Sequence, residues 1–354
     1  MNNITAEREI FYAAAKSNID NLVKTGKNRL CAPGGHNGPY FDVETPVRNT
    51  AHWIITYAAL FQNSGDGRFA DAANLLLNYL ISPEPFIRDE IYIQRQKRGK
   101  DWCNGLIGQA WVIEALAVGG RILNRADALE KARRAAIPFR FDPDIKAWNK
   151  IDPANNNEAI DYTLNHQIWY AAAKSELPDE ESDMEIRLFL DSLNQGAFRV
   201  RSDGLIAHLY YAHSVRGLLL RSKYFISEKR RPGSSREKET GYHLYNLYSL
   251  ARLHKRYPDH PFFKSERFKR AKEKINDPEF YSQLECSRYA YPYNAPAFEL
   301  PMAADEFNFE TDGTVFEEQV KRTFCSDEKR FCRNCPDPIT LNARIYEWFL
   351  NHIS

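Results

Sequence analysis

Residues able to move protons, hold anions or stack on sugar rings gather at a few places along the chain. The loop APGGHNGPYFDVETPVRNTAHW carries His36, Asp42, Glu44 and Arg48 into His52 and Trp53, and DWCNGLIGQAW offers Asp101, Trp102, Asn104 and Gln109. AIDYTLNHQIW holds Asp161, Asn165, His166 and Gln167, and GLIAHLYYAHS holds His208 and His213. ETGYHLYNLY contributes Glu239, Tyr242 and His243, and YAYPYNAPAFELP contributes Tyr293 and Glu299. A carboxylate, an amide and an indole side by side suit a polar ring: the aromatic face packs on its C–H surface while the polar groups take its hydroxyls.

Three chemistries could be run with these groups. Two carboxyls flanking a glycosidic bond hydrolyse it, roughly 5–5.5 Å apart for retention and about 6.5–9.5 Å for inversion. Asp101 and Asp161 are the first pair, with Asp42, Glu239 and Glu299 in reserve. Hydration of an unsaturated uronide needs one acid/base with positioning groups, which Asp101, His166 and Gln167 supply. Proton abstraction beside a carbonyl needs a His or Tyr base and a cation or amide on the developing charge, a role for His52, His243, Tyr242 and Arg48. Asp101, Asp161 and His166 are therefore the expected catalytic residues. His36, Asp42, Arg48, His52, Trp53, Trp102, Asn104, Gln109, Gln167, His208, Tyr242, His243, Tyr293 and Glu299 are the expected substrate contacts. Each has a plainer alternative: Asp101 or Asn104 as a helix cap, Gly105 and Gly108 as close-packing positions, and NHQIW as a buried polar network fixing helix register.

These residues open or precede helices. Apolar residues at three- and four-residue spacing, broken by Gly, Pro and Asn, predict helices near 5–25, 49–63, 67–81, 104–122, 124–137, 158–176, 182–194, 206–222, 239–256, 262–275, 296–307 and 338–353. Strand-like alternation is scarce. Some helices are charged on one face, such as RFADAANLLLNYLI, whereas others are apolar nearly all round with polar first turns, such as NGLIGQAWVIEALAVGG. A helix apolar on every side is wrapped by others. The two types alternate at about 50-residue intervals, so the expected fold is all-α: an (α/α)6 toroid of inner and outer helices in a single domain over residues 1–354. If the inner helices run parallel, their N-termini share one mouth, where free N–H groups favour anions. Six of the nine histidines belong to the segments that would meet there.

Composition narrows the partners. The formal net charge is +1, too small to draw the chain to nucleic acid or an anionic membrane. The N-terminus lacks a signal-peptide pattern and no run of 18 apolar residues occurs, so a cytoplasmic location is expected. No phosphate loop, dinucleotide fingerprint or G-x-S-x-G elbow is present, and no cofactor is expected. Cys325, Cys332 and Cys335 in CSDEKRFCRNC have the types for a structural zinc if Cys286 or a histidine adds a fourth ligand. Free thiols on a C-terminal hairpin are the preferred alternative.

GQAW, residues 108–111, resembles the arginine-glycine-glutamine-alanine-tryptophan stretch of unsaturated glucuronyl hydrolases, and the helical style is similar to that of N-acylglucosamine 2-epimerases. Both belong to the carbohydrate-active (α/α)6 group, so the resemblance implies a toroid acting on sugars. Ile107 stands where the hydrolases have arginine, and Asp161 follows the motif whereas their catalytic aspartates precede it. No catalytic residue is carried over. DWCNG also resembles the tryptophan-cysteine-x-glycine zinc segment of lanthionine cyclases, but their cysteine-histidine-glycine partner is missing. The expected function is a glycoside hydrolase acting on an oligosaccharide, acidic ones included, with an epimerase or lyase second and a non-catalytic glycan-binding scaffold third. The sugar or oligosaccharide is the expected partner, and the sequence leaves the oligomeric state open.

Overall fold

The computed structural model describes residues 2–353 apart from Asn37, Asp89, 154–156, 213–214, 216, 220–221, 223–232 and Asp312. His213, named above beside His208, lies outside the described residues.

Helix α1 (Asn2–Asn18) is followed by the hairpin β1 (Val23–Gly26) and β2 (Arg29–Cys31). Then come α2 (Val47–Ser64), α3 (Gly67–Ile81), the short strands β3 (Phe86–Ile87) and β4 (Ile91–Tyr92), α4 (Gly105–Ile122) and α5 (Ala126–Ala136). A three-stranded antiparallel sheet of β5 (Phe141–Asp142), β6 (Ala147–Asp152) and β7 (Asn157–Ile160) leads to α6 (Leu164–Lys174) and α7 (Glu180–Ser192). The remainder holds α8 (Ser234–Gly241), α9 (His243–Arg256), α10 (Glu266–Glu273), α11 (Pro278–Cys286), α12 (Pro296–Phe307) and α13 (Thr314–Thr323). The hairpin β8 (Phe324–Cys325) and β9 (Arg330–Phe331) precedes α14 (Pro338–Ala343) and α15 (Tyr346–Asn351).

Among the described residues, six helices close a ring: α2 packs on α4, α4 on α6, α6 on α9, α9 on α12, α12 on α15, and α15 back on α2. The ring explains the sequence types. Helix α4 is buried from Gly105 through Gly120, as an inner helix must be, whereas α3, beside it, buries only one face. The fold is the expected (α/α)6 toroid.

Several local expectations are corrected. The segment expected to be helical from 206 is extended through residue 212: Ile206 bridges Val200 and Leu209 bridges Thr163. Helical residues follow only from Val215. Pairing with the neighbouring backbone at Val200 and the distant backbone at Thr163 outweighs local helix preference there. Likewise Ala159 and Ile160 belong to β7, paired with β6, so α6 begins at Leu164 and not near 158. Helices α11 and α13 were not expected.

Candidate functional site

The N-termini of the inner helices do share a mouth. A cavity of about 270 Å³ opens there, and its lining includes Arg48 from the first turn of α2, Asn104 and Ile107 from the start of α4, and His166 from α6. Tyr242 and Tyr245 line it from the start of α9, Asn294 from just before α12, and Thr340 from α14.

His166 is the group best placed for proton transfer. Its Nδ1 lies 2.8 Å from Asp161 Oδ2, and its side chain is 20% exposed while that of Asp161 is 3% exposed. Asp161 Oδ2 also accepts from the amide of Leu106 at 3.1 Å, and Oδ1 from that of Thr163 at 3.1 Å. Burial alone would raise this carboxyl. His166, Lys150 and the Leu106 amide outweigh it and hold the group well below the usual carboxylate range. The result is a permanently charged acceptor behind a histidine whose far edge faces the cavity.

His208 lines the same cavity. Its backbone carbonyl accepts from the Leu164 amide at 3.0 Å, so the extended 206–210 segment is tied to the first turn of the helix that carries His166. Burial, with help from Lys238 and His166, pushes the His208 imidazole well below its usual range, so it is neutral at neutral pH.

Arg48 lies over the Trp111 ring, 4.2 Å from its centroid, and pairs with Glu44 at 3.3 Å. Trp111 thereby contributes to the lining and donates from Nε1 to the Tyr245 hydroxyl at 3.3 Å. Lys238 is pushed down to about 8 by burial and by Arg288. Arg48, Arg95, Lys100 and Lys238 all line the cavity, against two carboxylates that are both engaged. Asp42 is ringed by Lys97, Arg95 at 3.6 Å and Lys100 at 3.8 Å. Asp337 accepts from the amides of His36 at 2.7 Å and Thr340 at 3.1 Å.

The expected carboxylate pair takes another place. Asp101 caps the start of α4 through the amides of Cys103 and Gly105, each at 2.8 Å, while Asp161 takes the next amide, that of Leu106. Both carboxylates sit on the helix start, and neither is among the cavity-lining residues. Asn104 at φ 58° and Gly105 at φ 65° form a left-handed corner that turns the chain into α4. Much of the polar chemistry of DWCNG therefore builds that corner.

Of the other expected contacts, Asp42, Arg48, Asn104, His208, Tyr242 and Tyr293 line the cavity. The rest do not. His36 fixes the rim loop, with Nδ1 3.1 Å from Gly38 O and its ring stacked on Phe41. His52 is buried, stacked on Tyr346 at 4.1 Å, and Trp53 stacks on Tyr57 in the core. The Trp102 carbonyl accepts from the amides of Gln94 and Arg95. Gln109 and Gln167 are paired amides: Gln109 exchanges bonds with the Tyr92 backbone, and Gln167 with that of Trp148. His243 accepts from the Ile206 amide and faces the Ala271 carbonyl, and burial pushes it down to about 3. Glu299 is buried with Glu347 around Arg344, and both carboxyls are raised by burial. Of the C-terminal cysteines, Cys325 and Cys332 come together, but Cys335 packs against the core instead.

No established family profile matches the sequence. It is 32% identical over 335 residues to archaeal glycosylation protein Q of Haloferax volcanii, spanning 89% of this chain and 90% of that protein. The chain belongs to that protein's family. Among solved structures, cellobiose 2-epimerase from Bacillus thermoamylovorans matches with a TM-score of 0.64 at 11% identity over 100% of both chains. A D-mannose isomerase matches at 0.61 and 10% identity, over 97% of each chain. The GH76 α-mannanase of Bacteroides thetaiotaomicron matches at 0.53 and 12% identity, over 98% of this chain and 96% of that one. At these identities the likeness establishes the toroid and leaves the chemistry to the site.

For this member of the family, sequence reasoning missed Tyr40, Arg95, Lys100, Lys238, Asp337 and Thr340 as lining residues. Arg95 and Lys100 lie in QRQKRGK, whose local composition does not separate a cavity lining from a solvated surface, and only its position at the mouth distinguishes it. Among the described residues, no helix is long and apolar enough to cross a membrane.

Proposed function

We propose that the protein is a carbohydrate-active enzyme that moves a proton on an acidic sugar, by epimerisation, isomerisation or elimination, with residues 1–354 acting as one toroid. The observation that carries this reading is the His166–Asp161 pair at 2.8 Å with the imidazole edge in the cavity. His166 is the base that takes a proton from the carbon beside a carbonyl or carboxylate. Asp161 fixes its tautomer and stabilises the imidazolium that forms. Arg48 faces the charge developing on the sugar oxygen. His208, neutral and on the same cavity, is suited to receive or return the second proton. The cavity carboxylates Asp42 and Asp337 are committed to cations and amides, which leaves a hydrolytic pair without a free member. The excess of lining cations over lining carboxylates, with Lys238 outside the Asp42 and Glu44 pairs, favours a ligand carrying a carboxylate or phosphate. The glycosylation role named for the Haloferax relative, and the sugar epimerase and isomerase among the structural neighbours, agree with a saccharide substrate.

The test is solvent exchange. Uronic acids and reducing disaccharides incubated in D2O with the enzyme should gain deuterium at the carbon beside the carbonyl, read by NMR. His166→Gln should slow that exchange by about 10²–10⁴-fold. Glycosidic cleavage without carbon-bound deuterium would instead establish hydrolysis and overturn the proposal.

A further inference from the structure

The hairpin of β8 and β9 lies away from the cavity lining and carries a cluster that proton transfer does not use. Cys325, Glu328 and Cys332 each present a ligand atom, and these three atoms lie within 4.8 Å of one another. The strand register produces this. Cys325 pairs with Arg330 across the hairpin, so Cys332, two residues further along, projects on the same face. The tip brings Glu328 back towards them.

We propose that this hairpin is a zinc site with Cys325, Cys332 and Glu328 as protein ligands and a fourth position left to water. Two thiols and a carboxylate are a donor set suited to Zn²⁺, whereas magnesium and calcium prefer oxygen alone. Without a cation the two thiols keep their protons and Glu328 carries the only charge of the three. Their ligand atoms are already close enough together for one divalent ion to bind all three. Glu328 also pairs with Arg330, so the carboxylate is already partly ordered on the hairpin. Binding converts two thiols to thiolates and releases two protons, so affinity rises with pH. The structure replaces the ligand set the sequence offered: Cys335 is outside the cluster, and Glu328 takes its part.

The site has a mechanical consequence. The Lys329 carbonyl accepts from Ser17 Oγ at the end of α1, and Phe331 exchanges backbone bonds with the Asn342 side chain on α14. A metal at the tip fixes a hairpin that joins the first helix to the element carrying Thr340 into the cavity. This is independent of the reaction proposed above.

Full-length protein purified without chelators and dialysed against metal-free buffer should retain one zinc ion per chain by elemental analysis. Cobalt(II) in its place should give a thiolate-to-metal charge-transfer band in the near ultraviolet. Cys325→Ser and Cys332→Ser should lose both signals. Glu328→Gln removes no backbone hydrogen bond of the hairpin and should weaken zinc by at least about tenfold in competition with a chromophoric chelator. Cys335→Ser should bind as the parent does. Affinity unchanged by Glu328→Gln, loss of zinc in Cys335→Ser, no zinc in the parent chain, or a Cys325–Cys332 disulfide in anaerobically purified protein would each overturn the assignment.

Discussion

His166 depends on Asp161 for its orientation, and Asp161 depends on its surroundings for its charge. A carboxyl that is 3% exposed stays ionised only because an imidazole, an ammonium and an amide face it. The consequence for stability has a definite sign. Because its folded pKa lies below the ordinary value, Asp161 contributes stability that is fully present above about pH 4 and is lost as pH falls further. Asp161→Asn should therefore cost on the order of 2 kcal/mol at pH 7, measured by urea unfolding. The difference from the parent should shrink between about pH 4 and pH 2. A constant difference across that range would mean that the ion pair is not the source. His243 marks the opposite case: a histidine with both ring nitrogens committed to the backbone, kept neutral by burial, and structural despite its place at the start of an inner helix.

At the scale of elements, the corner at Asn104–Gly105 holds the site together. Two carboxylates from different segments dock on consecutive amides of α4, and there is no room between them for a side chain. A Cβ on Gly105 would come 2.5 Å from His166 Nδ1 and would also press on Asp161. The backbone there, at φ 65°, already favours glycine. Gly105→Ala should cost about 1–2 kcal/mol in stability and, by displacing the imidazole, lower kcat by more than tenfold with little change in thermal unfolding of the outer helices. Steady-state kinetics beside denaturant melts separates the two effects. If kcat is unaffected, the corner is only a packing device. The extended 206–210 segment acts similarly, since its bridge to Thr163 brings His208 beside α6.

Across the whole molecule, the inner ring is joined by buried ions as well as apolar contact. Arg252 on α9 meets Glu114 on α4 and, at 3.4 Å, Glu176 just beyond α6. Glu114 is pushed up to about 7 by burial, against the pull of Arg252. Breaking such a pair leaves an uncompensated buried group, so Arg252→Leu should destabilise by about 3–5 kcal/mol. Arg252→Leu combined with Glu114→Leu should recover a large part of that loss. Failure of the double variant to improve on the single one in guanidinium melts would mean that Glu176 is the main partner.

The wrapped and half-exposed helix types gave the toroid because a period of 3.6 residues and apolarity on all sides are local properties of the chain. They also made the convergence of polar helix starts legible, and His166, His208, Arg48, Asn104, Tyr242 and Tyr293 with it. Roles were not legible. Asp101 and Asp161 read as a catalytic pair because sequence gives residue type and position but not what a carboxylate accepts from. Only the folded chain sets Asp101 on the amides of Cys103 and Gly105, turns Asp161 into the support of His166, and brings Arg95, Lys100 and Lys238 to the mouth. The same holds for Cys335, where spacing suggested a ligand and strand register chose Glu328. Hydrogen-bond partners and charge neighbours far apart along the chain are fixed by tertiary packing, and they decide which residues line the cavity and which build the wall behind it.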